Sequence, residues 1–306
     1  MSVKKIIPLI LPLVCLASCG SNDNSQTKSD DYSIIEKESW DSDGKLKVLT
    51  IGNSFSDDTM EYFYEIADLV GVGDIELGNL YIGGCTLETH LNNAKDNSPS
   101  YEYRTNYDGN WKTEFRYKML DAVSSNDWDF ISFQQASGYS GIESSYDCLD
   151  ELMDIVESHC ISKNTRFVWN MTWAYQQNSN HSDFPRYDKS QTKMYEMITE
   201  TVQKKIVTNK RIEIISPTGT AIQNARQYLG DNLTRDGYHL SYIFGRYIAG
   251  CTFFSALTGI SPSMIVYYPT GVDVQFRRAL NEDDLTAIQD AILFALDNPF
   301  EVVNIL

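Results

Sequence analysis

The sequence predicts an α/β domain in which a parallel sheet of about five strands lies between two layers of helices, a three-layer α/β/α sandwich. Short runs rich in β-branched and aromatic residues alternate along the chain with longer segments whose apolar residues recur at helical spacing. Strands that alternate with helices are expected to pair in parallel, with helices on both faces of the sheet. The absence of an internal repeat or a second linker predicts one domain, at residues 45–306.

The elements follow from this alternation in chain order. Strands are predicted at residues 47–51, 75–82, 129–133, 166–171 and 211–215. Helices are predicted at about residues 58–70, 86–94, 149–156, 188–207, 242–257 and 283–296. Asp58 and Glu61 are spaced like a capping box at the start of the first helix.

One segment breaks the alternation. Residues 101–117, YEYRTNYDGNWKTEFRY, alternate aromatic and polar side chains around Asp108 and Gly109, which predicts a β-hairpin. This hairpin is expected either to cover a sheet end as a structural flap or to form an aromatic wall beside a ligand site.

The N-terminus predicts export. Two lysines precede an apolar run at residues 6–14, which is too short to span a membrane and is typical of a secretory signal, at residues 1–18. Leu16-Ala17-Ser18-Cys19 resembles the bacterial lipobox, and the resemblance implies that Cys19 is lipidated. The alternative is an ordinary cleaved signal with incidental cysteines. Residues 19–44 are expected to be a polar tether, so the domain would be lipid-anchored in the bacterial cell envelope, at the periplasmic side or the cell surface.

The charge and the cysteines exclude some classes of partner and site. A formal net charge of −17 would repel a phosphate backbone, so no nucleic acid partner is expected. Contact with the membrane is expected through the N-terminal lipid only. The six cysteines form no CxxC or metal-like spacing, and single buried thiols are expected beyond the signal.

Residues that follow the predicted strands are the candidates for a functional site, because open α/β sheets bind ligands beyond the carboxyl ends of their strands. In chain order they are Asn53, Ser54, Gly83, Gly84, Gln134, Gln135 and Trp173. This set has a hydroxyl, glycine backbone and carboxamides, but no cluster of carboxylates or histidines for a metal. It suits acyl transfer without a cofactor, in which a serine attacks a carbonyl and N–H donors stabilise the oxyanion.

A nucleophilic serine needs a base, and His239 is the histidine with a nearby carboxylate. Asp236 precedes it by three residues in a loop, a spacing that allows the carboxylate to hold Nδ1–H while Nε2 faces a nucleophile. His181 lies in a polar loop and could line the same cleft. Asn53, Trp173 and His181 are therefore the candidate substrate contacts.

These blocks together resemble the SGNH (GDSL-like) hydrolases, and most closely a lipoprotein-associated branch catalogued as a domain of unknown function. The blocks are Gly52 to Ser56, a glycine after the second strand, a carboxamide after the third, and Asp236 to His239. The resemblance covers roughly residues 45–300 and implies a flavodoxin-like parallel sheet. The chain departs from the family in having Asn53 where Asp is usual and Gln in place of the Asn of the third block.

The resemblance also implies the role of each site residue. Ser54 would be the nucleophile, His239 the base and Asp236 the group that orients it. The oxyanion donors would be the amide of Ser54, an amide at Gly83 or Gly84, and the carboxamide of Gln134 or Gln135, with Gln134 preferred. Ser56 and Asp57 are then expected to cap the helix.

The expected function is that of an exported, lipid-anchored serine esterase that removes acyl groups, such as acetyl, from a small-molecule or glycan ester. The alternative is a surface glycan-binding lipoprotein on the same scaffold with weak or lost catalysis. The sequence does not predict the oligomeric state.

Overall fold

The structure is a computed structural model, and it describes residues 44–302. The predicted signal peptide, the lipidated Cys19 and the tether lie outside the described residues. Within the described part, no helix is both long and apolar enough to cross a membrane.

The described residues contain one seven-stranded sheet with the order β4-β3-β2-β1-β5-β6-β7. Five strands are parallel: β1 Lys45–Gly52, β2 Asp74–Tyr81, β5 Phe130–Phe133, β6 Arg166–Asn170 and β7 Ile212–Ser216. Taken alone, these five have the order second, first, third, fourth, fifth, which is the flavodoxin-like arrangement. The predicted fold class is confirmed.

The helices of the described part form two layers. In chain order they are α1 Ser54–Met60, α2 Phe63–Val70, α3 Leu87–Lys95, α4 Met119–Val123, α5 Leu149–His159, α6 Gln191–Lys205, α7 Thr218–Leu229, α8 Phe244–Thr258 and α9 Glu282–Asp297. Helices α3, α4 and α5 contact one another, and α6 is linked to α3 through residues 143–146. Helices α1, α2, α7, α8 and α9 are joined by their own contacts around α8, in which every residue except Arg246 is buried.

The predicted hairpin forms, but as an extension of the sheet. Its strands β3 Tyr101–Asn106 and β4 Lys112–Tyr117 pair in antiparallel fashion, and β3 also pairs with the edge of β2. Gly109 in the connecting loop has a φ of +81°, a conformation that glycine adopts without strain. The hairpin therefore enlarges the sheet from five strands to seven.

Two predictions about helices are corrected. The first helix begins at Ser54 and is interrupted after Met60, so Asp58 lies inside α1 and does not cap it. The helix α7 was not predicted, although it follows β7 after a single residue, Pro217. Its sequence TGTAIQNARQYL starts with two threonines around a glycine, which are poor helix formers and obscure the helical period.

Candidate active site

The predicted nucleophile lies at the turn between β1 and α1. Asn53 has extended backbone and caps α1, because its Oδ1 accepts a hydrogen bond of 3.0 Å from the amide of Phe55. A side chain at Gly52 would come within 2.7 Å of the Ser56 hydroxyl oxygen, so this tight turn needs a glycine. The turn leaves Ser54 half-buried as the first residue of α1.

Ser54, His239 and Asp236 lie in one hydrogen-bonded chain. The Ser54 hydroxyl is 2.8 Å from Nε2 of His239, which lies 185 residues later in the sequence. On the other side of the imidazole, Nδ1 is 2.6 Å from Oδ2 of Asp236. Because a carboxylate accepts, Nδ1 carries the proton and Nε2 is left free to accept from the serine.

The turn around Asp236 fixes the orientation of the histidine. Its other oxygen, Oδ1, accepts from the amides of Tyr238 at 3.2 Å and His239 at 2.8 Å. Gly237 between them has a φ of +93°. Burial by itself would raise the pKa of Asp236, but the hydrogen bonds from the His239 ring and from these two amides outweigh it, and the net pKa is lowered. The carboxylate therefore stays ionised over a wider pH range.

A second buried carboxylate holds the histidine loop against the serine helix. The carboxylate of Asp58 in α1 is fully buried and accepts from Nη1 of Arg235 at 2.9 Å and Nε of Arg246 at 2.8 Å. It also accepts from the amide of Leu240 at 2.8 Å, next to His239. Sequence reasoning missed this cluster. The available signal was an Asp one helical turn after Ser54, because i and i+4 share a helix face.

The loop after β2 lies beside the serine. Two contacts hold it there: the Ile82 amide donates to the Gly52 carbonyl at 3.4 Å, and Nδ2 of Asn53 donates to the Cys85 carbonyl at 3.1 Å. Gly83 and Gly84 between these contacts are exposed, and their amides meet no acceptor within residues 44–302. Both amides are thus available to a ligand beside Ser54.

The carboxamides of Gln134 and Gln135 are turned toward other groups, which corrects the expectation that one of them is an oxyanion donor. Nε2 of Gln134 donates to Oδ1 of Asn53 at 2.9 Å, and the whole residue is buried. Nε2 of Gln135 donates to the Ser145 carbonyl at 2.9 Å, and its Oε1 accepts from the amides of Leu87 and Ala136. The two glutamines therefore brace the loops under the site.

Of the three candidate substrate contacts, Asn53 and Trp173 are buried and are not accessible to a substrate. Asn53 uses both polar atoms of its side chain on the backbone and on Gln134. Trp173 is fully buried, stacks on Phe55 with ring centroids 4.2 Å apart, and donates from Nε1 to the Tyr238 carbonyl at 2.7 Å. We correct both assignments to support of the turns that carry Ser54 and His239.

His181 is the candidate substrate contact that lies at the edge of the site. Its ring is 4.6 Å from that of Tyr238, whose ring is in turn 4.2 Å from that of His239. Nδ1 of His181 accepts from the Asp183 amide at 3.1 Å, so the neutral ring carries its proton on Nε2. Burial lowers the pKa of His181, which favours this neutral form.

Ser56 and Asp57 do not cap α1. The Ser56 hydroxyl donates to the Asn53 carbonyl at 2.7 Å, inside the helix. Asp57 pairs with Arg104 of β3, whose guanidinium lies 3.9 Å from the centre of the Tyr81 ring. Helix capping falls to Asn53, and the Asp57 pair fastens the hairpin to α1.

Two aromatic residues of the hairpin lie in the core of the protein. Tyr101 and Tyr103 of β3 are buried, with 1% and 4% of their surface exposed. They belong to the hydrophobic core and form no wall beside the site. The hairpin is thus a structural part of the sheet, and its Tyr107 and Phe115 side chains are exposed, at 47% and 70%.

Metal ligands are not grouped in the described part of the chain. Within residues 44–302, no three His, Cys, Asp or Glu side chains are arranged to hold a metal ion. The four cysteines there, Cys85, Cys148, Cys160 and Cys251, are free thiols.

Comparisons with known proteins identify relatives of the chain. Residues 47–282 match the family model described as Domain of unknown function (DUF4886). The crystal structure of a DUF4886 family protein from Bacteroides uniformis is 39% identical, with a TM-score of 0.79, over 85% of this chain and 98% of that one. The sequence matches no curated protein.

Two further solved structures are more distant. One, from Slackia heliotrinireducens and named provisionally as an SGNH hydrolase, is 16% identical with a TM-score of 0.44, over 69% of this chain and 98% of that one. The other, an acetylxylan esterase from Geobacillus stearothermophilus, is 14% identical with a TM-score of 0.39, over 69% of this chain and 94% of that one. At these TM-scores the likeness does not extend to the reaction.

Proposed function

Because the chain belongs to the DUF4886 family, whose description assigns no reaction, we propose a function from the chemistry of its own site: hydrolysis of carboxylic esters by Ser54, His239 and Asp236. The observation that carries the proposal is the hydrogen-bonded chain from the serine hydroxyl through both imidazole nitrogens to the carboxylate. A hydroxyl in that position can lose its proton to the base as it attacks a carbonyl.

The reaction divides into two halves. In the first, the oxygen of Ser54 attacks the acyl carbon while Nε2 of His239 takes the hydroxyl proton, and the same proton then passes to the departing alcohol. In the second, water attacks the acyl-serine, gives its proton to His239, and the acid leaves as Ser54 regains a proton. Asp236 stabilises the imidazolium in both halves and is itself not protonated.

The negative oxygen of each tetrahedral intermediate needs N–H donors. We assign the amides of Ser54 and of Gly83 or Gly84, since the glycine amides have no acceptor in the described part of the protein. A single oxyanion donor is commonly worth about 3 to 4 kcal/mol of the barrier. With neither glutamine turned toward this position, the backbone would supply the stabilisation.

The substrate we propose is an acylated carbohydrate, with a small acyl group such as acetyl. The predicted export of the chain supports this class, because glycans are abundant in the cell envelope and outside it. The strongly negative chain, with its formal net charge of −17, disfavours polyanionic substrates.

We further propose that Cys19 carries lipid and tethers the domain to the membrane of a bacterial cell envelope, as a lipoprotein. The support is the sequence Leu16-Ala17-Ser18-Cys19 and the polar segment after it. Replacing Cys19 by Ala should move the protein from the detergent phase to the aqueous phase. A variant that stays with membranes would contradict the lipid anchor.

A fluorophosphonate probe tests the esterase directly, because it labels only an activated serine. We expect the wild-type protein to be labelled and Ser54→Ala to remain unlabelled. A matched control is available in Ser158 and His159, an exposed serine and imidazole that also lie 3.0 Å apart, so Ser158→Ala should label like wild type.

The same experiment distinguishes the esterase from the alternative, a glycan-binding lipoprotein with lost catalysis. The observation that favours this second candidate is that Nε2 of each glutamine donates to a protein acceptor away from Ser54. A folded wild-type protein that takes up no label and hydrolyses no ester would exclude the esterase and leave the binding protein.

A further inference from the structure

We propose that a cleft beside the catalytic turn, lined by Gln176, residues 178–180, the Asp236–Gly237 turn and Gln275, binds the alcohol part of the substrate as a neutral sugar residue. The inference rests on the esterase function proposed above and adds where, and by which side chains, the leaving group is held. The cleft has a volume of about 250 Å³.

The position of the cleft suits a leaving group. In ester hydrolysis the base returns the serine proton to the departing alcohol, so that alcohol must lie at Nε2 of His239. Asp236, which lines the cleft, binds the opposite nitrogen of the same ring at 2.6 Å. The cleft therefore begins on the Nδ1 side of the imidazole, and an alcohol that leaves at Nε2 would enter it past the edge of the ring.

The charged groups of the cleft already have hydrogen-bond or ion-pair partners within the protein. Arg235 pairs with the buried carboxylate of Asp58 at 2.9 Å. Both oxygens of Asp236 are occupied, one by the imidazole of His239 and the other by backbone amides. A charged ligand would find no free counter-charge on these two residues, whereas a neutral one avoids the cost of a buried unpaired charge.

The polar groups left for a ligand are carboxamides. The side chains of Asn178 and Asn180 are exposed and have no hydrogen-bond partner within residues 44–302. A carboxamide offers two donors and an acceptor, which match the hydroxyl groups of a sugar, because each hydroxyl both donates and accepts. The chemistry of the lining thus favours a polyhydroxylated ligand.

The walls of the cleft are held in place before any ligand binds. The Gln176 amide donates to the Gly237 carbonyl at 2.9 Å, and the Thr234 hydroxyl donates to Oε1 of Gln176 at 2.6 Å. A side chain at Gly237 would come within 3.0 Å of the Ser179 hydroxyl, so the two walls pack closely only because this residue is glycine. On the third side, Nε2 of Gln275 donates to the Arg235 carbonyl at 3.3 Å. A pre-formed site loses less entropy on binding.

The test compares two esters of the same acid, a monoacetylated methyl glucoside and phenyl acetate, and measures kcat/KM for each. We expect Asn178→Ala and Asn180→Ala each to lower the ratio of sugar ester to aryl ester roughly fivefold, the usual loss for a neutral hydrogen bond, and the double variant to lower it further. The matched control is Asn232→Ala, since Asn232 is also exposed and without a partner in the described part but lies outside the cleft. This variant should keep the wild-type ratio.

A binding measurement separates failure of the cleft from failure of the esterase. Ser54→Ala should bind methyl glucoside in an NMR titration, and adding both Asn replacements should abolish the shifts. An unchanged substrate ratio in the double variant, or an equal fall in Asn232→Ala, overturns the cleft assignment while leaving Ser54-dependent hydrolysis intact. If the wild-type protein hydrolyses no ester, the esterase function is overturned. In that case, sugar binding by Ser54→Ala that depends on Asn178 and Asn180 still supports the cleft.

Discussion

Ser54 and Ser158 each place a hydroxyl within hydrogen-bond distance of an imidazole, and the difference between them lies in the third group. Nδ1 of His159 is 2.8 Å from the Ile155 carbonyl, to which it can only donate, so the nitrogen that faces Ser158 already carries a proton. In His239 the donating nitrogen is turned to Asp236, and the nitrogen that faces Ser54 can accept. A nearby histidine alone therefore does not make a serine nucleophilic.

The first prediction concerns this unit of three residues. Ser54→Ala and His239→Ala should each lower kcat for an activated ester by at least roughly a thousandfold, and the double variant should lose little more, because each residue is useless without the other. Asp236→Asn keeps the shape but favours the wrong tautomer, so we expect a loss of roughly a hundredfold or more.

Steady-state kinetics on purified variants measure these losses, with His159→Ala as the control for removal of an imidazole. Losses that multiply in the Ser54 and His239 double variant would show that the two residues do not act in the same step.

The second prediction concerns His90, a buried imidazole far less accessible than the catalytic one. Complete burial lowers its pKa to about 3, whereas an unfolded histidine has a pKa of about 6.5. Between these values the unfolded chain binds the proton and the folded protein does not, so stability falls as the pH falls below about 6.5. Between about pH 7 and about pH 5, this residue alone should lower the free energy of unfolding by ~2 kcal/mol.

Urea unfolding of wild type and His90→Phe at the two pH values measures this contribution. The Phe variant keeps a ring against Tyr101 but has no proton to bind, so it should lose ~2 kcal/mol less on acidification. Equal losses in both proteins would contradict the assignment, and His159→Ala, which removes an exposed histidine, should behave like wild type.

At the scale of elements, the site depends on how α1 is fixed to the turn that carries the histidine. Asp58 in α1 bonds the amide of Leu240 and two arginines that flank that turn, Arg235 and Arg246. The preceding residue of the same helix, Asp57, pairs instead with Arg104 of the hairpin, and its side chain is 30% exposed. Adjacent residues of one short helix thus connect it to the hairpin and to the turn that carries His239.

The third prediction compares these two acids. Asp58→Asn removes a buried negative charge from two arginines and should lower the free energy of unfolding by about 3 kcal/mol, because an unpaired buried charge is costly. Asp57→Asn breaks a partly exposed pair and should cost less than about 1 kcal/mol. Chemical denaturation measures both, and similar losses would mean that Asp58 does not anchor the turn.

Elements also show what the sequence could and could not predict. The five parallel strands were predicted from their apolar runs, because burial on both faces leaves a continuous pattern. The helix α7 was missed since its first residues disfavour helix on their own, and the helix packs against α8 and α9, which are distant in sequence. Pairing of the hairpin with β2 was missed too, because strand order depends on contacts between residues distant in sequence.

The whole molecule brings the candidate site to the carboxyl edge of the sheet, as the strand order requires. Ser54 and the Asp236 to His239 turn were predicted from residue type and spacing, and the structure brings them together. The orientation of Gln134 and Gln135 was not predictable, since it depends on which partner each carboxamide meets after folding. The same holds for the cluster around Asp58, whose partners lie 177 or more residues away.

The fourth prediction concerns the stability of the whole molecule under reduction. Burial raises the pKa of the Cys85 thiol to about 12 and of the Cys160 thiol to about 11, and Cys251 is fully buried. These three thiols should therefore react slowly with a neutral disulfide reagent in the folded protein and rapidly in urea. Tm should be unchanged by dithiothreitol, and a marked fall in Tm on reduction would reveal a stabilising disulfide.

The distance along the chain between Ser54 and His239 has a consequence for the cell that makes the protein. The nucleophile belongs to the first strand and helix of the described residues and leaves the ribosome before the base, which follows 185 residues later. A chain that is still being synthesised, or is only partly across a membrane, holds the serine without the group that activates it. Under the proposed function, esters inside the producing cell are spared, because hydrolysis starts only once nearly the entire domain has reached its destination and closed.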